Sequence, residues 1–474
     1  MTTTGTPSYL TGRLAPVPDE ITAVDLPVTG SLPPELSGNY LRNGPNPRPG
    51  EDPGHWFAGH GMLHGVRLHG GRAEWYRNRW VRTAALAGEP YLTDDGFDRT
   101  AVLANTHVVE HAGTLFALVE NGFPYRVTRE LETVGPCDFG GRLTTAMTAH
   151  PKADPETGEL HFFGYSPIEP HLVYHRLSAA GELVCSAEIP GAHPSMMHDF
   201  AITDRHALFL DLPMVFDFDL LDRKLPYAWN EGIPARIGVM PLDRPGTVNW
   251  VEIDPCYVFH VGGAHTGPDG RIVLDACRYT AADITAIWSG MSGMGGTTAT
   301  EAAATGSLAP HHPSEPGAGR DHAVARSGKA RLHRWTIDPD AGTVTERARD
   351  DRPVEFPTLD DRLVGRPSRH LYTVSDADDT SAVIKYDDRT GAVTSHELGP
   401  DAVTGEAVFV PAADGTAEDD GWLISIVTRR DGSASRLLVL DATDVAGAPV
   451  ATVTLPRGVP AGFHGSFVPD VENA

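Results

Sequence analysis

Residues 381–393 read SAVIKYDDRTGAV: a β-rich run, a D-x-x-T-G turn, and the start of a second run. A strand that turns back on itself through Asp, Thr and Gly is a hairpin unit. From about residue 35 onward such units recur. LFALVE, LHFFGY, HALFLDLP, RIVLDACRY, RLHRWTID, WLISIVTRR and RLLVLD are separated by turn chemistry such as DPETGE, DPDAGTV and RDGSAS. Long amphipathic helical periodicity is scarce. Hairpins repeated this way predict an all-β chain built radially, a β-propeller whose blades have diverged too far to leave a crisp repeat.

Composition agrees. The 50 Gly and 39 Pro are scattered through 474 residues, which favours many turns over long helices. Hydrophobic residues make up 41% and charged residues 21%, the balance of a globular protein with a substantial core. A net charge of −25 excludes nucleic acid as a partner, since no basic stripe offsets phosphate. It also disfavours tight docking on anionic lipid, while a weak peripheral apolar contact with a membrane stays compatible with it.

The start, MTTTGTPSYLTGRLAPVPDE, lacks the basic and apolar regions of a secretory signal, and no apolar run is long enough for a transmembrane helix. Cys137, Cys185, Cys256 and Cys277 are widely spaced and form no CxxC, so they read as small hydrophobes in a reducing compartment. The expectation is a cytoplasmic protein. Residues 1–20 read as a flexible N-terminal arm and residues 21–474 as a single domain. Within it, the low-complexity stretch at about 291–328 reads as a surface insertion, and its His311, His312 and His322 are not expected to bind a metal.

Twenty-two histidines are too many for all to carry chemistry. Four combine apolar neighbours with strand-end turn chemistry: His150 in TTAMTAHPKADPETGELHFF, His198 in HPSMMHDFAITD, His260 in CYVFHVGGAH and His464 in AGFHGSFVP. No local zinc-finger spacing links them, so a shared metal must be assembled by the fold. A propeller does this when first strands of different blades line one axis. Glu120 in LFALVENGFPY, Glu355 in PVEFPTLDDR and Glu406 in TGEAVFVP sit against apolar residues. Each is either a solvated strand edge or a partner for the distal N–H of a metal-bound imidazole.

The chain resembles the carotenoid cleavage oxygenases, which include carotenoid-, apocarotenoid- and stilbene-cleaving members. The likeness runs in family order through LPPELSGNYLRNGPNP, HWFAGHGMLHGVRL, ANTHVVEHAGTLFALVENGFPY, AHPKADPETGEL, MMHDFAIT, VFHVGGAHT, VEFPTLDDRLVGRPSRHLY, TGEAVFVP and FHGSFVP. It implies a seven-bladed propeller with loops capping one axial Fe(2+). The matching ligand positions are His150, His198, His260 and His464, supported by Glu120, Glu355 and Glu406. The likeness also has departures. Gly263 and Thr266 stand where the family commonly has Asn and an acid, and His265 stands where an aromatic is usual. A looser loop around His260 is the expectation.

Four neutral imidazoles leave an iron its full charge and up to two open positions for dioxygen. No GxGxxG or CxxC supplies a reductant, so the electrons come from an electron-rich substrate. The resemblance implies a dioxygenase that splits a conjugated double bond of an apolar small molecule into two carbonyl products, with no general acid or base. Stilbene-cleaving relatives often carry Lys just before the first supporting glutamate. Here that position is Val119, which suits a hydrocarbon polyene and points to a carotenoid or apocarotenoid. The alternatives are a stilbene- or phenylpropene-cleaving dioxygenase, an isomerase using the same iron, and a non-catalytic or calcium-dependent propeller. The last is disfavoured because calcium takes oxygen ligands. Residues 212–229, LPMVFDFDLL…LPYAW, either border the substrate entrance or form ordinary core.

Overall fold

The computed structural model describes residues 6–221, 225–291, 329–377 and 380–470. Seven antiparallel sheets of four or more strands succeed one another along the chain, which makes a seven-bladed propeller. Blade 1 is built on Gly38–Pro45, blade 2 opens with His107–His111, and blade 3 opens with Lys152–Ala153. Blades 4, 5 and 6 open with Phe200–Ile202, Tyr257–Thr266 and Glu355–Thr358, and blade 7 with Ala402–Thr404 and Val408–Pro411. The last strand of a blade is more open than its central strands. In blade 4, Phe200–Ile202 is buried throughout, whereas Asn249–Glu252 at the other edge is largely open. The opening strands are therefore innermost, against the axis.

Closure uses both ends of the chain. Gly465–Pro469 pairs with Gly38–Pro45 and completes the inner side of blade 1. Val28–Gly30 pairs with Ala451–Thr454 on the outside of blade 7. Each pairing satisfies a row of backbone groups that an open ring would leave as bare edge. Apolar clusters fill the spaces between neighbouring blades. The largest joins blades 4, 5 and 6 around Trp335, Tyr257 and Ile284, all fully buried.

Residues 6–20, read from sequence as a flexible arm, lie against the propeller. Tyr9 and Val17 are buried, Val17 N–H donates to Asn46 Oδ1 at 2.8 Å, and Arg13 N–H donates to the Arg430 carbonyl. The arm looked loose because its apolar residues are too sparse to show a period, yet Tyr9 and Val17 suffice to dock it. The insertion at 291–328, with His311, His312 and His322, lies outside the described residues apart from Met291.

Candidate metal centre

The histidines reach the axis from four blades. His150 precedes the inner strand of blade 3, His198 that of blade 4, and His464 the closing strand of blade 1. His260 lies within Tyr257–Thr266, whose pairing with Ile272–Tyr279 slips between Val258 and Val261 and again between Val261 and Gly263. The first of these irregularities contains His260, and a bulge is the device that re-aims a side chain out of the sheet's alternation. The two-glycine step is therefore strand, not the loop expected from sequence. A Cβ on Gly263 would sit 2.7 Å from Leu359 Cδ2, so glycine here makes room for that side chain.

The structure brings all four imidazoles together, with one ring nitrogen of each within 4.8 Å of the others. His150 Nε2 faces His198 Nε2 at 3.0 Å. Three of the far nitrogens meet the three glutamates singled out in the sequence. His198 Nδ1–H donates to Glu120 Oε2 at 2.5 Å, His260 Nδ1–H to Glu355 Oε2 at 2.6 Å, and His464 Nδ1–H to Glu406 Oε1 at 3.0 Å. A proton on each Nδ1 leaves a lone pair on each Nε2 pointing inward. His464 Nε2 is buried with no hydrogen-bond partner. Lone pairs crowded together with no donor among them are what a cation resolves, so the donor set fits a metal ion.

Sequence reasoning missed the residues that hold the glutamates. Tyr165 O–H donates to Glu120 Oε1 at 2.8 Å, and Tyr279 O–H to Glu355 Oε1 at 2.6 Å. Both tyrosines end apolar strands, Leu160–Tyr165 and Ile272–Tyr279, which is the signal that could have found them. Phe356 N–H donates to Glu355 Oε2 at 2.7 Å, with the backbone of this aromatic residue held at φ 51°. That left-handed conformation is costly for a bulky side chain, and here it lays the Phe356 ring on His260 with centroids 5.0 Å apart. Gly465 N–H anchors Glu406 Oε2 at 2.8 Å.

Burial, reinforced by the neighbouring imidazoles, pushes His150 and His464 well below the ordinary histidine value, and burial brings His260 down to about 3. These rings are neutral, as metal ligands must be. Burial also depresses His198, but the Glu120 charge and hydrogen bond outweigh it and its value rises. Glu355 is pushed up to about 7 by burial.

His198 and His260 form part of the wall of a cavity of about 1120 Å³. Its apolar side includes Phe57, Phe259, Trp288 and Phe463, with Phe57 at 5.3 Å from Phe463 and 6.0 Å from Trp288. Trp288 is carried by helix Ala281–Gly290, which a Thr280–Asp283 capping box starts. Phe216, Leu221 and Tyr227, from the stretch 212–229, line the same cavity, as does buried Val119.

The family model described as retinal pigment epithelial membrane protein matches residues 14–469. A carotenoid cleavage oxygenase of Mycobacterium tuberculosis is 39% identical to this chain, covering 97% of each. This chain belongs to the carotenoid cleavage oxygenase family. It is an enzyme of the oxygenase class. Among solved members of this fold, the lignostilbene dioxygenase of Pseudomonas brassicacearum superposes with a TM-score of 0.81 at 26% identity, covering 98% of this chain and 99% of that one. Cobalt-substituted Synechocystis apocarotenoid oxygenase superposes at 0.77 with 26% identity, covering 96% and 97%. The carotenoid cleavage oxygenase set here has free thiols at all four cysteines, and none of its described helices is long and apolar enough to cross a membrane.

Proposed function

We propose that this protein is a non-haem Fe(II) dioxygenase that cleaves a conjugated C=C bond of a carotenoid or apocarotenoid with O2, giving two carbonyl products. One observation carries the reading: four converging imidazoles, two of which face a largely apolar cavity of about 1120 Å³. His150, His198, His260 and His464 would hold the ion, and Glu120, Glu355 and Glu406 would keep three of the rings aligned. Bound ferrous iron supplies activation of dioxygen. The reaction balances without a reductant, because both oxygen atoms enter the two carbonyls and the cleaved alkene provides the electrons.

The chain's own part is binding and orientation. Phe57, Phe259, Trp288 and Phe463 pack against a polyene and exclude water from the reacting bond. No acid or base is needed, which agrees with three glutamates being committed to imidazoles. Leu92, Ile168 and Leu221 line the cavity yet are 63%, 58% and 57% exposed, so an apolar rim marks one mouth. Such a rim would take a lipophilic substrate from a membrane or micelle through weak peripheral contact. A cytoplasmic location belongs to the same proposal and is supported by the four free thiols.

The second reading, cleavage of a stilbene or phenylpropene, is favoured by the likeness to the lignostilbene enzyme and by the Tyr227 phenol in the cavity. Val119, apolar beside Glu120, argues for the polyene. The deciding experiment incubates iron-loaded protein in air with carotenoids, apocarotenals and hydroxystilbenes, with anaerobic controls and mass spectrometry of products. Oxygen-dependent aldehydes from a polyene support the first reading. Aromatic aldehydes from stilbenes alone overturn it, and a polyene isomerised without oxygen uptake makes the protein an isomerase.

A further inference from the structure

One buried cation in the cavity wall has no role in the metal centre. Arg42 lies in Gly38–Pro45 and is 2% exposed. Its Nη2–H donates to the Pro460 carbonyl, its Nε–H finds no acceptor, and it has no ion-pair partner among the described residues. A guanidinium carries five N–H donors, and burying it without an anion is costly. Burial holds its value below that of an ordinary arginine.

Glycine backbone packs closely against the guanidinium. A Cβ on Gly462 would stand 2.9 Å from Arg42 Nε, and one on Gly405 would stand 3.6 Å from Nη1. Both glycines line the cavity, as Arg42 does. Ala461 N–H donates to the Arg13 carbonyl at 2.7 Å, so the segment 460–462 ties the Arg42 side chain to the Arg13 backbone. Arg13 Nη2–H and Arg430 Nη2–H share the Asp376 carboxylate at 3.2 and 2.7 Å, while the Lys329 ammonium donates to the Asp376 carbonyl. Two guanidiniums share one carboxylate. Donors are in excess, and a ligand that brings oxygen acceptors satisfies them.

We infer that this arm of the cavity binds the oxygenated end of the substrate, with Arg42 and Arg13 on a terminal carboxylate. The inference rests on the polyene reading above and narrows it. The apolar rim at Leu92, Ile168 and Leu221 receives the hydrocarbon end, the cationic arm receives the oxygen, and the polyene between them passes the metal centre. The substrate class is then an apocarotenoid bearing one oxygenated terminus rather than a hydrocarbon carotene. The reaction that supplies it is an earlier oxidative cleavage of a longer polyene.

The test is anaerobic tryptophan-fluorescence quenching of iron-loaded protein at neutral pH by an apocarotenoic acid and by its methyl ester. The two have the same polyene and differ in charge. The acid is expected to bind about tenfold more tightly than the ester, the scale of one charge-assisted hydrogen-bond pair. Arg42→Lys risks the fold, so Gly405→Ala, which places a methyl before the guanidinium, and Arg13→Gln at the half-exposed end are the working variants. Each should shrink the preference for the acid to about threefold or less while ester affinity holds. Equal affinities in the parent protein overturn the inference, as does a preference unchanged in both variants. Failure of both ligands to quench overturns the polyene reading as well. Ester binding without acid preference overturns the cationic arm alone.

Discussion

Replacing Glu355 by Gln keeps the shape of the side chain and removes its charge. The carboxylate accepts three hydrogen bonds, from His260 Nδ1 at 2.6 Å, Tyr279 O–H at 2.6 Å and Phe356 N–H at 2.7 Å. A glutamine can put its carbonyl oxygen where His260 and Phe356 donate and turn its NH2 toward Tyr279, whose hydroxyl then accepts. The net loss is the charge assistance to one imidazole. A charge-assisted hydrogen bond exceeds a neutral one by roughly 1–1.5 kcal/mol, and 1.4 kcal/mol is about tenfold in an affinity. Glu355→Gln should therefore weaken ferrous-ion binding about tenfold, at the lower end of what such supporting groups contribute. Glu355→Ala leaves His260 N–H and Tyr279 O–H without an acceptor in a buried site, adding about 1–3 kcal/mol and bringing the loss to about a hundredfold or more. Competitive anaerobic titration with a calibrated chelator measures both, with metal-free melting curves to check the fold. Parent-like affinity in Glu355→Gln, or equal losses in Gln and Ala, would refute the assignment of Glu355 as the charge that orients His260.

Three further outcomes are expected. His198→Ala should abolish retention of iron with little loss of fold; iron content equal to the parent by elemental analysis would sink His198 as a ligand. Gly263→Asn should cost about 1–2 kcal/mol of stability through overpacking, because its Cβ would meet Leu359 Cδ2 at 2.7 Å. Adding Leu359→Ala should recover most of that loss in denaturant titrations, and no recovery would exclude the clash. Acid should destabilise the protein through buried histidines remote from the metal. Burial lowers His55, His161 and His175 to about 4, so their neutral forms belong to the folded state. The unfolded chain takes up these protons near pH 6.5 and the folded one only near 4, so stability is intact above 6.5 and falls as pH drops through that window. At pH 5 each contributes a loss of roughly 2 kcal/mol. A denaturation midpoint that stays flat from pH 7 to pH 5 contradicts this.

The hairpin grammar of SAVIKYDDRTGAV and its counterparts determined that the chain is all-β, because alternation and turn chemistry are local properties of neighbouring residues. Local context likewise marked His150, His198, His260 and His464, and the resemblance grouped them with Glu120, Glu355 and Glu406. Pairing was beyond its reach. That Glu120 serves His198, Glu355 serves His260 and Glu406 serves His464 depends on contacts across 78, 95 and 58 residues of chain. Such distances carry no periodic signal, and only the order of blades around the axis sets them. Tyr165 and Tyr279 at strand ends, the bulge that turns His260 inward, and the docking of residues 6–20 were invisible for the same reason. Arg42 is the clearest case. In sequence it is one charge in LRNGPNP, and only the tertiary structure decided that it is buried, facing two glycines from the far end of the chain, with no anion to meet it among the described residues.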